Sequence, residues 1–221
     1  MQAVHLYLAQ RISALVMAPL VIGHLALMIY ALQGGLSAAE ILGRTQGSVW
    51  WALYYGLFVL AVSVHAAIGL RTVVHETLGL RGAQRLRRRD GAVVAGPWRP
   101  RRPRGDAAMI RPHRQHPLWL AFMLHRISGV CLALFLPVHF VVLGLALNDA
   151  ARLDGFLNWT EVPLVKAAET GLVFMLAVHL FGGLRLLALE FLPWSPRQKT
   201  YAAVATAVSV FVACGFSLNV L

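Results

Sequence analysis

The 221-residue chain is 58% hydrophobic, has a mean hydropathy of +0.66 and carries charge on only 13% of its residues. These values exclude an ordinary soluble domain, in which about a quarter of the residues are charged. The formal net charge of +11 therefore has to come from a small and localised set of basic residues.

Five apolar segments predict the fold. They lie at about 10–32, 49–73, 119–147, 165–192 and 200–220. Each is near or above the ~20 residues that cross a hydrocarbon core of ~30 Å. We therefore predict an all-α integral membrane protein with five transmembrane helices.

The positive charge is concentrated between Arg81 and Arg114, in a stretch rich in arginine, proline and glycine. Proline and glycine are typical of a linker, and arginine beside a membrane span is typical of a cytoplasmic loop or an anionic-lipid contact. No nucleic-acid-binding motif accompanies the arginines, so we expect no nucleic acid partner. The chain thus divides into a first repeat, 1–80, a basic linker, 81–117, and a second repeat, 118–221.

The positive-inside rule predicts the topology. It places the basic linker and the N-terminus in the cytoplasm. The loops near 33–48 and 148–164 carry few basic residues, so we expect them on the outer side of the membrane. The C-terminus is expected on the outer side as well.

The two halves of the chain resemble each other. "QRISALVMAPLVIGH", which ends at His24, aligns with "HRISGVCLALFLPVH", which ends at His139. "HAAIGLRTVVHE", which begins at His65, aligns with "HLFGGLRLLALE", which begins at His179. We interpret the halves as two repeated helix pairs with a histidine on every helix, followed by one C-terminal helix.

Helical rise predicts two pairs of histidines at two depths. His24 and His139 lie about fourteen residues, or ~21 Å, into their helices, whereas His65 and His179 lie ~9 Å from the cytoplasmic boundary. An imidazole in lipid needs a partner, and a haem between two facing imidazoles satisfies both. Hydrogen bonding to a neighbouring helix and a proton path are the alternatives. Zinc is disfavoured, because the depths differ and no cysteine or carboxylate joins the histidines.

"RPHRQHPLWLAFMLHRISG" and "HLFGGLRLLALE" resemble the cytochrome b membrane anchor of the succinate dehydrogenase and fumarate reductase family, the succinate:quinone oxidoreductases. "VHAAIGLRTVVHE" resembles the partner anchor subunit of that family. The chain is similar to the fused, single-polypeptide type with two haems b. This resemblance implies that His65 and His179 ligate a haem iron near the cytoplasm. It implies that His24 and His139 ligate a distal haem iron.

The same resemblance implies further site residues. The "HR-x-S-G" segment implies a quinone site at His125, Arg126 and Ser128, and the repeat adds Arg11 and Ser13 as weaker candidates. Snorkelling at a helix boundary and a hydroxyl at a helix start are the alternatives for Arg126 and Ser128.

The arginines that follow the second histidine of each half, Arg71 and Arg185, are candidates for contacting haem propionates. They could equally mark helix boundaries. Glu76 and Glu190, eleven residues after His65 and His179, are expected at the cytoplasmic mouth.

The implied function is electron transfer between an iron–sulfur subunit, which works with a flavoprotein subunit, and membrane quinone in a bacterial cytoplasmic membrane. We expect dicarboxylate chemistry on those other subunits, because this chain has no flavin fingerprint and no cysteine set for iron–sulfur clusters. Two alternatives stay open. One is the cytochrome b of another quinone-linked dehydrogenase, such as a formate dehydrogenase or hydrogenase. The other is a haem-free structural anchor or small transporter.

Overall fold

The computed structural model describes residues 2–34, 37–77 and 116–220, and within these ranges every regular element is a helix. The helices are α1 (Gln2–Gly34), α2 (Ala38–Thr45), α3 (Val49–Thr77), α4 (Pro117–Asn148), α5 (Ala150–Thr160), α6 (Pro163–Phe191) and α7 (Gln198–Val220). Apart from its last two residues, the predicted basic linker lies outside the described residues. The division of the chain into two repeats and a linker stays a prediction.

Five of the described helices are long and apolar enough to cross a membrane: α1, α3, α4, α6 and α7. The predicted all-α membrane fold is therefore confirmed. Large apolar side chains such as Trp50, Leu164 and Phe211 are 83%, 80% and 78% exposed. Apolar surface of this kind is compatible with lipid as the surrounding solvent and not with water.

The two segments predicted as loops, near 33–48 and 148–164, each contain a short helix. Ser37 caps α2 and Asp149 caps α5 by accepting backbone N–H groups of the first turn. Buried Ala38 and Leu153 bring the two short helices into one apolar cluster, and Asp154 accepts the N–H of Ala38 at 2.8 Å. The first half therefore consists of a long, a short and a long helix, and the second half repeats this order before its C-terminal helix, α7.

Side-chain pairs define the two ends of the bundle. At one end, Arg11 near the start of α1 pairs with Glu190 near the end of α6. At the other end, Gln33 of α1 donates to Asn219 of α7 at 3.2 Å. We call the first the linker end, because α3 ends there and α4 begins there.

The largest apolar core lies between α1, α6 and α7. Its buried members are Val21, Leu25, Val173, Leu180 and Phe216. α6 contributes to this core and also packs against α4, so it occupies the centre of the bundle. The histidine that α6 carries is consequently surrounded by other helices rather than by lipid.

Candidate cofactor site

The structure brings the four repeated histidines into two pairs, and each pair joins the two halves. The ring centres of His24 on α1 and His139 on α4 are 6.3 Å apart, and those of His65 on α3 and His179 on α6 are 6.1 Å apart. Two imidazole nitrogens on opposite sides of one metal, each at ~2.0–2.1 Å, put the ring centres about 6 Å apart. Both pairs therefore have the spacing that a metal-centred cofactor between the rings requires.

Each histidine pair offers two imidazole ligands. Within the described ranges, no group of three or more histidine, cysteine, aspartate or glutamate side chains could hold a metal ion. A metal bound by only two imidazoles needs its remaining ligands from elsewhere, and a porphyrin supplies four nitrogens. The residues present thus fit haem.

His179 is held by three contacts from α4. Its Nδ1 lies 3.1 Å from the carbonyl oxygen of His125 and 3.4 Å from Oγ of Ser128. The ring of His125 stacks on it at 4.2 Å with an interplanar angle of 5°. An Nδ1–H that donates to a carbonyl leaves Nε2 unprotonated, which is the form that binds a metal. Ser128 is fully buried and donates its own hydroxyl to the same carbonyl at 2.9 Å.

Two glycines make room for these stacked rings. A Cβ on Gly129 would lie 2.7 Å from Cε1 of His179, and a Cβ on Gly182 would lie 3.0 Å from Nδ1 of His125. Any larger residue at Gly129 would push the His179 ring away. Sequence reasoning did not single out either glycine, because the close approach depends on how α4 packs against α6.

His65 is contacted by α1. Nε2 of Gln10 lies 3.4 Å from Nε2 of His65. Gln10 is the repeat equivalent of His125, so in each half the same position contacts the histidine of that half's second long helix. The alignment of "QRIS" with "HRIS" carried this signal, although the prediction did not use it.

Three buried ring nitrogens have no hydrogen-bond partner among the described residues. They are the Nδ1 atoms of His24, His65 and His125. Buried polar atoms are normally satisfied. A cofactor that bound to these imidazole rings would account for the burial of polar side chains at these positions.

Crossed ion pairs join the halves at the linker end. Arg11 of the first half pairs with Glu190 of the second, and Arg126 of the second half pairs with Glu76 of the first. The hydroxyl of Tyr7 also donates to Glu190 at 3.1 Å. Reciprocal contacts of this kind are the signature of a twofold relation, here between the two halves of one chain.

The predicted quinone residues cluster at the linker end of α4. His125 is occupied by its stack with His179, Arg126 by its pair with Glu76, and Ser128 by the carbonyl of His125. Of the weaker candidates, Ser13 is buried and donates to its own helix. The quinone role of these residues stays a prediction.

The two arginines proposed for propionates differ in setting. Arg185 donates to Gln198 of α7 at 3.3 Å and, with His125, lines a small cavity of about 60 Å³ between α4, α6 and α7. Arg71 is exposed at the surface of α3. Their role as propionate partners also stays a prediction.

The fold and the paired histidines together define a multi-pass helical membrane protein with two histidine pairs between its halves. Residues 2–96 and 99–215 match the family described as the succinate dehydrogenase/fumarate reductase transmembrane subunit. The chain belongs to this family. The resemblance seen in its sequence motifs is confirmed at the level of the family.

A similar protein is the succinate dehydrogenase 2 membrane subunit SdhC of Mycobacterium tuberculosis (strain ATCC 25618 / H37Rv). The two are 30% identical over 87 residues, which cover 39% of this chain and 64% of that protein. The chain therefore matches less than two thirds of the relative's length. No solved structure matches the chain.

Proposed function

We propose that the chain is the fused, dihaem cytochrome b anchor of a succinate dehydrogenase or fumarate reductase complex. It transfers electrons between an iron–sulfur subunit and membrane quinone. Family membership supports the complex. The observation that carries the two haems b is the presence of two imidazole pairs, each across the halves, with ring centres 6.3 and 6.1 Å apart.

Four histidines hold the cofactors in this proposal, His24 with His139 and His65 with His179. Haem b held by these histidines would supply one-electron transfer. The carbonyl of His125 fixes the tautomer and the orientation of the His179 ring. Gly129 leaves the space in which that ring lies.

The orientation follows from the charge of the linker. With 81–117 in the cytoplasm of a bacterium, the His65–His179 pair faces the iron–sulfur and flavoprotein subunits, and the His24–His139 pair lies towards the outer side. Succinate or fumarate is converted on those partner subunits. The quinone site is proposed at the linker end of α4, around His125, Arg126 and Ser128.

Haem stoichiometry tests this proposal. The complex, purified through this chain, should contain two haems b per chain by pyridine haemochrome quantitation. Its co-purifying subunits should include an iron–sulfur protein and a flavoprotein. One haem per chain in an intact complex would remove His24 and His139 from the ligand set. A complex without haem would refute the proposal.

A further inference from the structure

Two ion pairs, Arg11 with Glu190 and Arg126 with Glu76, join the halves at the linker end. We propose that these pairs, called the clasp from here on, position the ring of His65 opposite that of His179. The proposal rests on the proposed function in one respect, because these two rings are the proposed ligands of one haem.

Adjacent residues of α1 reach both halves of the chain. Gln10 contacts His65 of its own half through the two Nε2 atoms, 3.4 Å apart. Arg11, the next residue, pairs with Glu190 of the other half. One short piece of α1 therefore ties the histidine of α3 to the helix that carries the opposing histidine.

Adjacent residues of α4 do the same in the opposite direction. His125 stacks on His179 of its own half, with ring centres 4.2 Å apart. Arg126 pairs with Glu76 of α3. Any sliding of α3 past α6 would therefore disturb both copies of the arrangement at once.

The position of the glutamates makes the clasp sensitive to rotation as well as to sliding. Glu76 follows His65 by eleven residues, and Glu190 follows His179 by eleven. Eleven residues are about three helical turns, so each glutamate lies on nearly the same face of its helix as the histidine. Fixing the carboxylate therefore fixes the rotation of the helix, and with it the face from which the imidazole projects.

A tyrosine takes part in the Arg11–Glu190 arm of the clasp. Each arginine lies over an aromatic ring one turn earlier, Arg11 over Tyr7 and Arg126 over Phe122, both at 5.2 Å. Tyr7 adds a hydrogen bond to Glu190 at 3.1 Å, for which phenylalanine has no hydroxyl. Tyr7→Phe therefore removes one hydrogen bond from the Arg11–Glu190 arm and leaves its ion pair in place.

The test uses the purified complex with all its subunits. Glu190→Gln removes one charge of the clasp and keeps the size of the side chain. The charge exchange Arg11→Glu/Glu190→Arg restores an ion pair with reversed polarity. Glu40→Gln is the matched control, because Glu40 pairs with Arg44 inside α2 without joining the halves. The control pair is also similarly exposed, at 30% for both side chains against 28% and 25% for Arg11 and Glu190.

We expect Glu190→Gln to speed haem loss about tenfold at the His65–His179 site, equivalent to ~1.4 kcal/mol, and to alter the low-spin spectrum of that haem. The His24–His139 haem and the Glu40→Gln complex should be unchanged. The charge exchange should recover most of the wild-type spectrum. An equal change in both haems, or an exchange that recovers nothing, would overturn the clasp.

Two further measurements keep the proposal testable in other circumstances. If Glu190→Gln prevents assembly, Tyr7→Phe should still speed haem loss at the same site by about threefold, the size expected for one hydrogen bond, and no effect would overturn the clasp. If the wild-type complex holds no haem, the proposed function fails. The clasp is then tested by the unfolding temperature of the complex. Glu190→Gln should lower this temperature, Glu40→Gln should leave it unchanged, and the charge exchange Arg11→Glu/Glu190→Arg should restore it.

Discussion

Replacing His139 by leucine should remove one haem and spare the other. Leucine keeps an apolar side chain of similar size at a half-buried position of α4, so the helix should persist while the imidazole is lost. His24 would then face no nitrogen across the 6.3 Å that separates the ring centres in the wild type. Loss of a residue that only hydrogen-bonds to a metal ligand weakens metal binding by ~10–100-fold. Loss of the ligand itself should weaken haem binding by more than this.

The expected result is a fall from two haems b to one per chain, with one component missing from the reduced-minus-oxidised spectrum. His24→Leu should remove the same component. The double variant should match either single variant, because one missing ligand already breaks the site and the two changes cannot add. His5→Leu, at an exposed histidine of α1, is the control and should keep both haems.

Two outcomes would refute this reasoning. If the His24 and His139 variants lost different spectral components, the pairing of these histidines would be wrong. If both variants kept two low-spin haems, these side chains would be packing residues, and the dihaem proposal would fail with them.

Three other predictions concern the linker end of the bundle. His65→Leu should remove the haem component that His139→Leu spares, as seen in the same difference spectrum. Gly129→Ala should displace the His179 ring and accelerate haem release, whereas Gly144→Ala on the same helix should not, because nothing lies within 4 Å of a Cβ there; equal behaviour of the two variants would contradict the steric argument. Arg126→Leu should lower quinone reductase activity far more than electron transfer to a soluble acceptor, and equal loss of both would contradict a specific role of Arg126 in the quinone site.

The sequence predicted the five spans well because span length and hydropathy are local properties. The spatial pairing of His24 with His139 and of His65 with His179 could be anticipated because the repeat carried both spacing and register. Their role as ligands is still a prediction. The internal repeat thus predicted the spatial pairing of the histidines, which the motifs alone do not predict.

Two features could not be predicted for identifiable reasons. The short helices α2 and α5 are too short to be stable alone and depend on docking through Ala38 and Leu153. The crossed pairs of Arg11 and Arg126 depend on which helices are neighbours, and neither composition nor spacing specifies that. The repeat placed Glu76 and Glu190 at equivalent positions, and Arg11 and Arg126 likewise, but it did not indicate which arginine pairs with which glutamate.

The crossed contacts also bear on whether the two halves need to be joined in one polypeptide. Both histidine pairs and both arms of the clasp run between residues 2–77 and residues 116–220, so the interactions described here hold the halves together in the manner of a heterodimer. A covalent tether adds to such an interface mainly by raising the effective concentration of one part around the other, typically to the millimolar range for a short linker. A gene cut between the codons for Thr77 and His116 should therefore still yield the same bundle from two co-expressed pieces.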